Sequence, residues 1–155
     1  MRAGLGFDVH KFKKGRKLIL GGVNIGYPEG LDGYSDADVL LHALMDAILG
    51  GCGLGDIGVH FPDNDIKYKD ISSMVLLEEV RKKMEEKNFK IVNIDATLIM
   101  QEPKVSGYIP QMRKNIAGVL KISEKDINIK ATTTEGLGFC GRKEGIAAEC
   151  VVMLG

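Results

Sequence analysis

The stretch Ser35-Asp36-Ala37-Asp38-Val39-Leu40-Leu41-His42-Ala43-Leu44-Met45-Asp46-Ala47-Ile48-Leu49 carries one narrow polar stripe on an otherwise apolar rod. At about 100° per residue, Ser35, Asp38, His42 and Asp46 fall on one side of a helix. An imidazole with carboxylates one turn away on either side suits a metal ion or a reacting group, because a carboxylate can fix the ring's tautomer. The same pattern fits a helix cap at Ser35, an acid in the first turn and a hydrogen-bonded core histidine. A second source of donors is Asp8-Val9-His10, where the two-residue period of a strand sets Asp8 and His10 on one face. Joined by His42 they make two imidazoles and one carboxylate. Such a set leaves the fourth position of a tetrahedral ion such as Zn2+ for water or substrate.

Two other groups bear on chemistry. Asp56, Asp63 and Asp65 lie in the segment 53–65, which is rich in Gly and Pro but holds apolar Leu54, Ile57 and Phe61. Carboxylates there suit the hydroxyls of a polyol or a divalent ion, and they equally suit the capping of turns. Lys130-Ala131-Thr132-Thr133-Thr134-Glu135 runs into Gly136-Leu137-Gly138. Hydroxyls, free backbone N–H groups and a glycine turn suit phosphate oxygens, with Glu135 placed to hold a cation against them. A Thr run is also what strand propensity alone produces.

The elements that must position these groups follow from periodicity. Residues 2–12 alternate as a strand, with Leu5, Phe7 and Val9 set against Gly4, Gly6, Asp8 and His10. A turn at Lys13-Lys14-Gly15-Arg16 leads as a hairpin into Leu18–Leu20 and on to Val23–Ile25. A breaker-rich loop, 28–34, delivers the chain to the polar-striped helix, expected from Ser35 to Leu49 and stopped by Gly50-Gly51. A second helix is expected over Asp70–Asn88, a strand over Phe89–Met100 with Val92 on its apolar face, and a helix marked by Ile109, Met112, Ile116, Val119 and Leu120. A strand over Ile127–Thr133, a loop at 136–139 and an apolar last strand over Ile146–Leu154 complete the chain. The expected fold is α+β, a mixed β-sheet with helices packed on one face, in a single domain spanning 1–155. Glu149, a lone charge in the last strand, points to a subunit interface.

Lys and Arg balance Asp and Glu at 21 each, so no net field recruits nucleic acid or an anionic membrane. The N-terminal Met1–Asp8 has no apolar run of signal-peptide length, and no segment reaches the length of a membrane span. The three cysteines, Cys52, Cys140 and Cys150, are odd in number and form no CxxC. Buried thiols in a reducing, cytoplasmic setting are therefore expected.

Asp8-Val9-His10, the helix from Ser35 to Ala43, Gly55-Asp56-Ile57-Gly58 with Phe61-Pro62-Asp63, Pro103-Lys104, Ile109-Pro110-Gln111-Met112-Arg113, and Lys130 to Glu135 with Gly138-Phe139 and Gly141-Arg142 occur in order. Together they resemble the 2-C-methyl-D-erythritol 2,4-cyclodiphosphate synthase family. The resemblance implies a homotrimeric lyase of the non-mevalonate isoprenoid pathway. Such an enzyme cyclises 4-diphosphocytidyl-2-C-methyl-D-erythritol 2-phosphate and releases CMP. It further implies that Asp8, His10 and His42 bind Zn2+ and that Glu135 helps place a second divalent ion, Mg2+ or Mn2+. Asp56 and Asp63 would hold the erythritol portion, and Ile57, Gly58, Phe61 and Asp65 would also touch substrate. Residues from Met100 through Ser106, with Lys104, and Thr132 to Glu135, Thr134 included, would hold the cytidine diphosphate, and Phe139 and Arg142 would also touch substrate. Ser35 and Thr133 would act on the phosphates. Sites would lie between adjacent subunits. An axial cavity near Arg142, Glu144 and Glu149 would be a place for an isoprenoid phosphate. The family pattern has His where this chain has Tyr34, which keeps a donor but cannot become cationic near pH 7. The same residues leave room for a non-catalytic metal- and nucleotide-binding trimer, or for a metal-dependent phosphohydrolase.

Overall fold

Two glycines near the start of the chain set how the fold packs. In the computed structural model, which describes residues 1–155, Gly4 and Gly6 of strand β1 (Arg2–Lys14) face helix α1 (Val39–Cys52). A Cβ at Gly6 would lie 1.9 Å from the Ala43 carbonyl oxygen, and one at Gly4 would lie 1.8 Å from that of Ala47. The helix backbone thus rests directly on the strand. Leu5, Phe7 and Val9 point the other way and are exposed, Leu5 by 62% and Phe7 by 57%. The apolar side of β1 is therefore its outer side, because only residues without side chains let α1 approach so closely.

The remaining strands are β2 (Leu18–Leu20), β3 (Val23–Ile25), β4 (Glu29–Leu31), β5 (Ile91–Ile99), β6 (Ile127–Thr132) and β7 (Gly145–Leu154). Five of them form a sheet of order β4-β1-β7-β5-β6. Its β5–β6 pair is parallel and the others are antiparallel, so the sheet is mixed. Helix α4 (Ile109–Leu120) lies in the crossover between the parallel strands, as parallel pairing requires. Helix α3 (Ser73–Glu86) packs beside α1, and α1 in turn covers β1 and β7. The helices lie on one face, as expected. On the opposite face, register places Phe7 beside Glu149 and Glu149 beside Thr97. Glu149 is exposed there, next to Val151 at 45%. The cysteines are buried and unpaired, and no helix is long and apolar enough to cross a membrane.

Several expected boundaries move, each for a local reason. Helix α1 begins at Val39 rather than Ser35, because Ala37 adopts a left-handed conformation at φ 57° and Asp38 is the cap. Helix α3 is trimmed at both ends, where Asp70 and Asn88 are also left-handed and Ser72 caps. The first turn does not pair β1 with β2. Instead β2 pairs with β3 about Gly21-Gly22, and β4 returns to β1 at Phe12–Lys14. Val92 faces solvent because a bulge between Ile91 and Asn93 shifts the alternation of β5. Two short turns of helix, α2 (Ile57–His60) and α5 (Gly138–Gly141), occupy segments that read as loops.

Candidate active site

His42 lies in the first turn of α1, beside Ala43, whose carbonyl is held against Gly6. Its Nδ1 is 3.0 Å from His10 Nε2 and 3.1 Å from Asp8 Oδ2, and His10 Nε2 is 2.9 Å from that same carboxylate oxygen. One donor atom from each of the three residues lies within 4.8 Å of the others. A backbone carbonyl only accepts, so the 2.6 Å contact of His10 Nδ1 with the Asp32 carbonyl places that ring's proton on Nδ1. In the neutral ring His10 Nε2 is then the unprotonated nitrogen, and it carries a proton to donate to Asp8 only in the cationic form.

Burial raises the Asp8 pKa, but hydrogen bonds and charge from His10 and His42 outweigh it and hold the carboxyl well below the usual carboxylate range. For His10, burial lowers the pKa, and the hydrogen bond and charge of Asp8 overcome it, leaving the imidazole above its ordinary value. Both directions have one origin: converging acceptors favour positive charge between them. A divalent cation meets that demand, and donors roughly 3 Å apart suit an ion with bonds of about 2 Å. The donor set fits a metal.

The other two acids of the polar stripe do not serve His42. Asp38 is fully buried and accepts from the N–H groups of Gly21, Gly22 and Leu41, so it caps α1 and pins the β2–β3 turn. Burial, with Asp36 nearby, pushes its carboxyl up to about 6. Asp46 accepts from Ile57 N–H and anchors α2, and burial raises its pKa too. The groups that meet His42 Nε2 are the hydroxyls of Ser35 and Ser73, each at 3.1 Å. Ser35 is therefore a partner of His42 and accepts from Ala37 N–H, rather than capping the helix.

The triad opens into a cavity of about 460 Å³, walled by Tyr34 and Ser35 on one side and by Ile57, Gly58, Phe61 and Asp63 on another. Arg16 fixes the first wall by donating to the Gly33 and Ser35 carbonyls, while Asp70 N–H donates to the carbonyl of Tyr34. Phe61 packs edge-on against Tyr68, ring centres 5.5 Å apart, and stiffens the second wall. Asp56 and Asp65 stand behind it: Asp56 caps α2 through Val59 N–H, and Asp65 caps the 3-10 turn Ile66–Tyr68. A separate cleft of about 170 Å³ gathers Met100, Lys104, Ser106, Thr132 and Thr133. No residue lines both cavities. Glu135 lies just beyond this cleft, accepting from Thr133 Oγ1 at 3.4 Å, while Thr134 is turned to the Leu137 carbonyl. Phe139 is partly exposed, and Arg142 forms an exposed pair with Glu144 at 3.0 Å.

The YgbB family model matches residues 1–155. The 2-C-methyl-D-erythritol 2,4-cyclodiphosphate synthases of Lachnospira eligens and Alkaliphilus metalliredigens are 62% and 60% identical to the chain. Those alignments take in 99% and 100% of it, and 84% and 98% of theirs. The chain belongs to the 2-C-methyl-D-erythritol 2,4-cyclodiphosphate synthase family. Among solved structures, the synthase fold is matched by the bifunctional IspDF of Campylobacter jejuni at a TM-score of 0.95 and 50% identity. That match covers 99% of this chain and 42% of the longer one. The IspF of Plasmodium falciparum in complex with CDP matches at 0.86 and 37% identity, over 99% of this chain and 94% of its own.

Within this synthase, the residues that pattern reading did not single out are those acting through the backbone or through another side chain. Arg16 read as part of a turn, and Gly4 and Gly6 read as the polar side of a strand. Asp36 lay near the start of the polar-striped helix and Ser73 inside the expected helix 70–88, and neither was given a role. The only sequence signal for the glycines was their two-residue spacing ahead of Asp8, in register with the donors.

Proposed function

We propose that this domain converts 4-diphosphocytidyl-2-C-methyl-D-erythritol 2-phosphate into 2-C-methyl-D-erythritol 2,4-cyclodiphosphate and CMP, as a metal-dependent lyase of isoprenoid biosynthesis. The observation that carries this reading is the convergence of Asp8, His10 and His42, their lone pairs aimed at one point on the floor of the larger cavity. An oxygen of the 2-phosphate forms a bond to the nearer phosphorus of the diphosphate. The anhydride bond to the cytidine-bearing phosphate breaks, and its electron pair leaves with CMP. A phosphate is already ionised at neutral pH, so no general base is needed.

What the protein must supply is proximity between two groups that repel. Holding both ends of one flexible molecule makes the attack intramolecular, which lowers the barrier by several kcal/mol, up to roughly 7 to 11 in well-oriented systems. When bound, Zn2+ on Asp8, His10 and His42, with Mg2+ or Mn2+ at Glu135, supplies Lewis-acid neutralisation of the crowded phosphate oxygens. Ser35 and Tyr34 offer hydroxyl donors to one phosphate. Thr133 offers its hydroxyl to the charge that develops during transfer. Ile57, Gly58, Phe61 and Asp63 form the wall for the erythritol portion, with Asp56 and Asp65 holding that wall in place. Lys104, which makes no ion pair within the chain, Met100, Thr132, Thr134, Phe139 and Arg142 are assigned to the cytidine diphosphate. The CDP complex of the Plasmodium falciparum relative supports a nucleotide ligand.

We further read the working unit as a cytoplasmic homotrimer. Support comes from two cavities that share no residue in one chain, as expected if a neighbour completes each site. It also comes from the uncovered apolar sheet face at Leu5, Phe7 and Val151. That face would border a threefold axis, the place the family resemblance gives to an isoprenoid phosphate. The test is incubation of purified protein with the cytidylated 2-phosphate and divalent cations, followed by product analysis. Cyclic diphosphate plus CMP is expected. An open-chain hydrolysed product, or unchanged substrate despite full zinc content, overturns the proposal.

A further inference from the structure

His42 can serve a metal only if its proton resides on Nε2, leaving Nδ1 bare toward Asp8 and His10. The two hydroxyls at Nε2 differ in what they can do. Ser35 lines the cavity, and its hydroxyl is free either to accept from Nε2–H or to donate to a bare Nε2. Donation would put the ring proton on Nδ1, where it would occupy the metal position. Ser73 has no such freedom. Its Oγ–H is spent on Asp36 Oδ1 at 2.5 Å, so toward His42 it can only accept. Asp36 is itself held in the accepting role. Ser73 N–H donates to its Oδ2 at 3.0 Å, and Asp38 N–H donates to its Oδ1 at 3.2 Å.

We propose that Asp36 and Ser73 are positioning residues, a carboxylate–hydroxyl relay that selects the Nε2–H tautomer of His42 and so presents Nδ1 to the metal. The inference rests on the metal-centre reading above. The relay spans three elements, since Asp36 lies before α1, Ser73 opens α3 and His42 lies in α1. Ser73 is fully buried, so water does not replace it. The relay has a second consequence for the cavity. With Nε2–H already accepted by Ser73, the Ser35 hydroxyl keeps its own proton for a phosphate oxygen.

The test combines two measurements on the full chain. The first is the nitrogen spectrum of His42 in chelator-treated protein at about pH 8, where an ordinary histidine is neutral. The second is zinc affinity by competition with a chromophoric chelator. In metal-free protein Asp8 Oδ2, 3.1 Å from Nδ1, competes for the ring proton, so the parent is expected to hold a larger Nε2–H fraction than either Ser73→Ala or Asp36→Ala. Ser73→Ala leaves only the ambivalent Ser35, and Asp36→Ala frees the Ser73 hydroxyl to donate. Both variants are expected to shift the ratio toward the Nδ1–H form and to weaken zinc binding by about 10- to 100-fold. Ser72→Ala removes the ordinary cap of α3 at Met74 N–H and controls for helix destabilisation. It is expected to leave tautomer and zinc affinity unchanged. Ser73→Ala and Asp36→Ala proteins that keep the parent tautomer ratio overturn the relay. So does a Ser72→Ala protein that weakens zinc binding as much as they do. A parent that binds no zinc overturns the metal centre instead, and the relay is then judged on the tautomer alone.

Discussion

Replacing Gly6 by Ala tests whether close approach of α1 to β1 is what assembles the metal centre. The new Cβ would lie 1.9 Å from the Ala43 carbonyl oxygen and 2.7 Å from Ala47 N, both backbone atoms that no rotamer change can clear. Restoring ordinary contact moves α1 outward by about 1.5 Å, in an interior packed too densely to absorb the change elsewhere. Overpacking of this kind costs about 1 to 3 kcal/mol of stability. Metal binding is far less forgiving, because ligand distances hold to within about 0.2 Å. His42 precedes Ala43 and moves with it, while Asp8 and His10 stay on β1. Zinc affinity, read by chelator competition, is therefore expected to fall by at least about 100-fold while urea denaturation shows a folded, modestly destabilised protein. Gly4→Ala presses instead on Ala47, one turn further from His42. It is expected to cost similar stability but less zinc affinity. Gly118 on α4 has nothing within 4 Å of its missing Cβ. Alanine there should stabilise by about 0.5 to 1 kcal/mol and leave zinc untouched. Gly6→Ala protein that binds zinc within a few-fold of the parent refutes the reasoning, as does equal zinc loss in both β1 variants.

Two further outcomes can be checked directly. Tyr34→His is expected to raise CMP release several-fold, up to about tenfold, most strongly near pH 6 and fading toward pH 8 as the imidazole loses its charge; unchanged turnover would show that a neutral donor suffices. The second concerns Asp38, whose carboxyl rises from 3.8 to about 6 on folding, through burial first and Asp36 second. The folded state then holds the extra proton between those values, so Asp38's contribution to stability is fully present below about pH 4 and is lost, by about 3 kcal/mol, as pH rises to about 6. Asp46 shifts in the same direction. Asp8 acts oppositely, its stabilisation being lost only as pH falls below the ordinary carboxylate range. Urea titrations of chelator-treated protein should show the decline, and Asp38→Asn should flatten it; an equally steep slope in that variant would contradict the assignment.

The chemistry of this chain was more legible than its scaffolding. His10 and His42 announce themselves because the chain has only three histidines, and strand and helix periods bring them, with Asp8, to defined faces. The mixed sheet with helices on one side follows from the same periodicities. What escaped were features set by contact rather than pattern. Nothing local tells Ala37 to turn left-handed. Only the burial of Asp38 under Gly21 and Gly22 fixes the helix start there. The expected roles of Asp38 and Asp46 beside His42 were taken by Ser35 and Ser73, because serine is short enough to share a buried space with an imidazole and an aspartate. β1 read correctly as a strand, yet which side of it met the helix depended on volume, not hydropathy.

The grip on residues 33–35 bears on which substitutions the cavity wall tolerates. Arg16 and Asp70 N–H hold the carbonyls of Gly33, Tyr34 and Ser35, and none of those bonds involves a side chain of the segment. The path of the backbone past the cavity is thus dictated from outside, like a socket whose shape is indifferent to what is plugged in. Position 34 can exchange a phenol for an imidazole without redrawing the wall around it. Tyr34→His becomes a substitution of reactivity alone, with the backbone on either side held by an arginine eighteen residues upstream that bonds the Gly33 and Ser35 carbonyls.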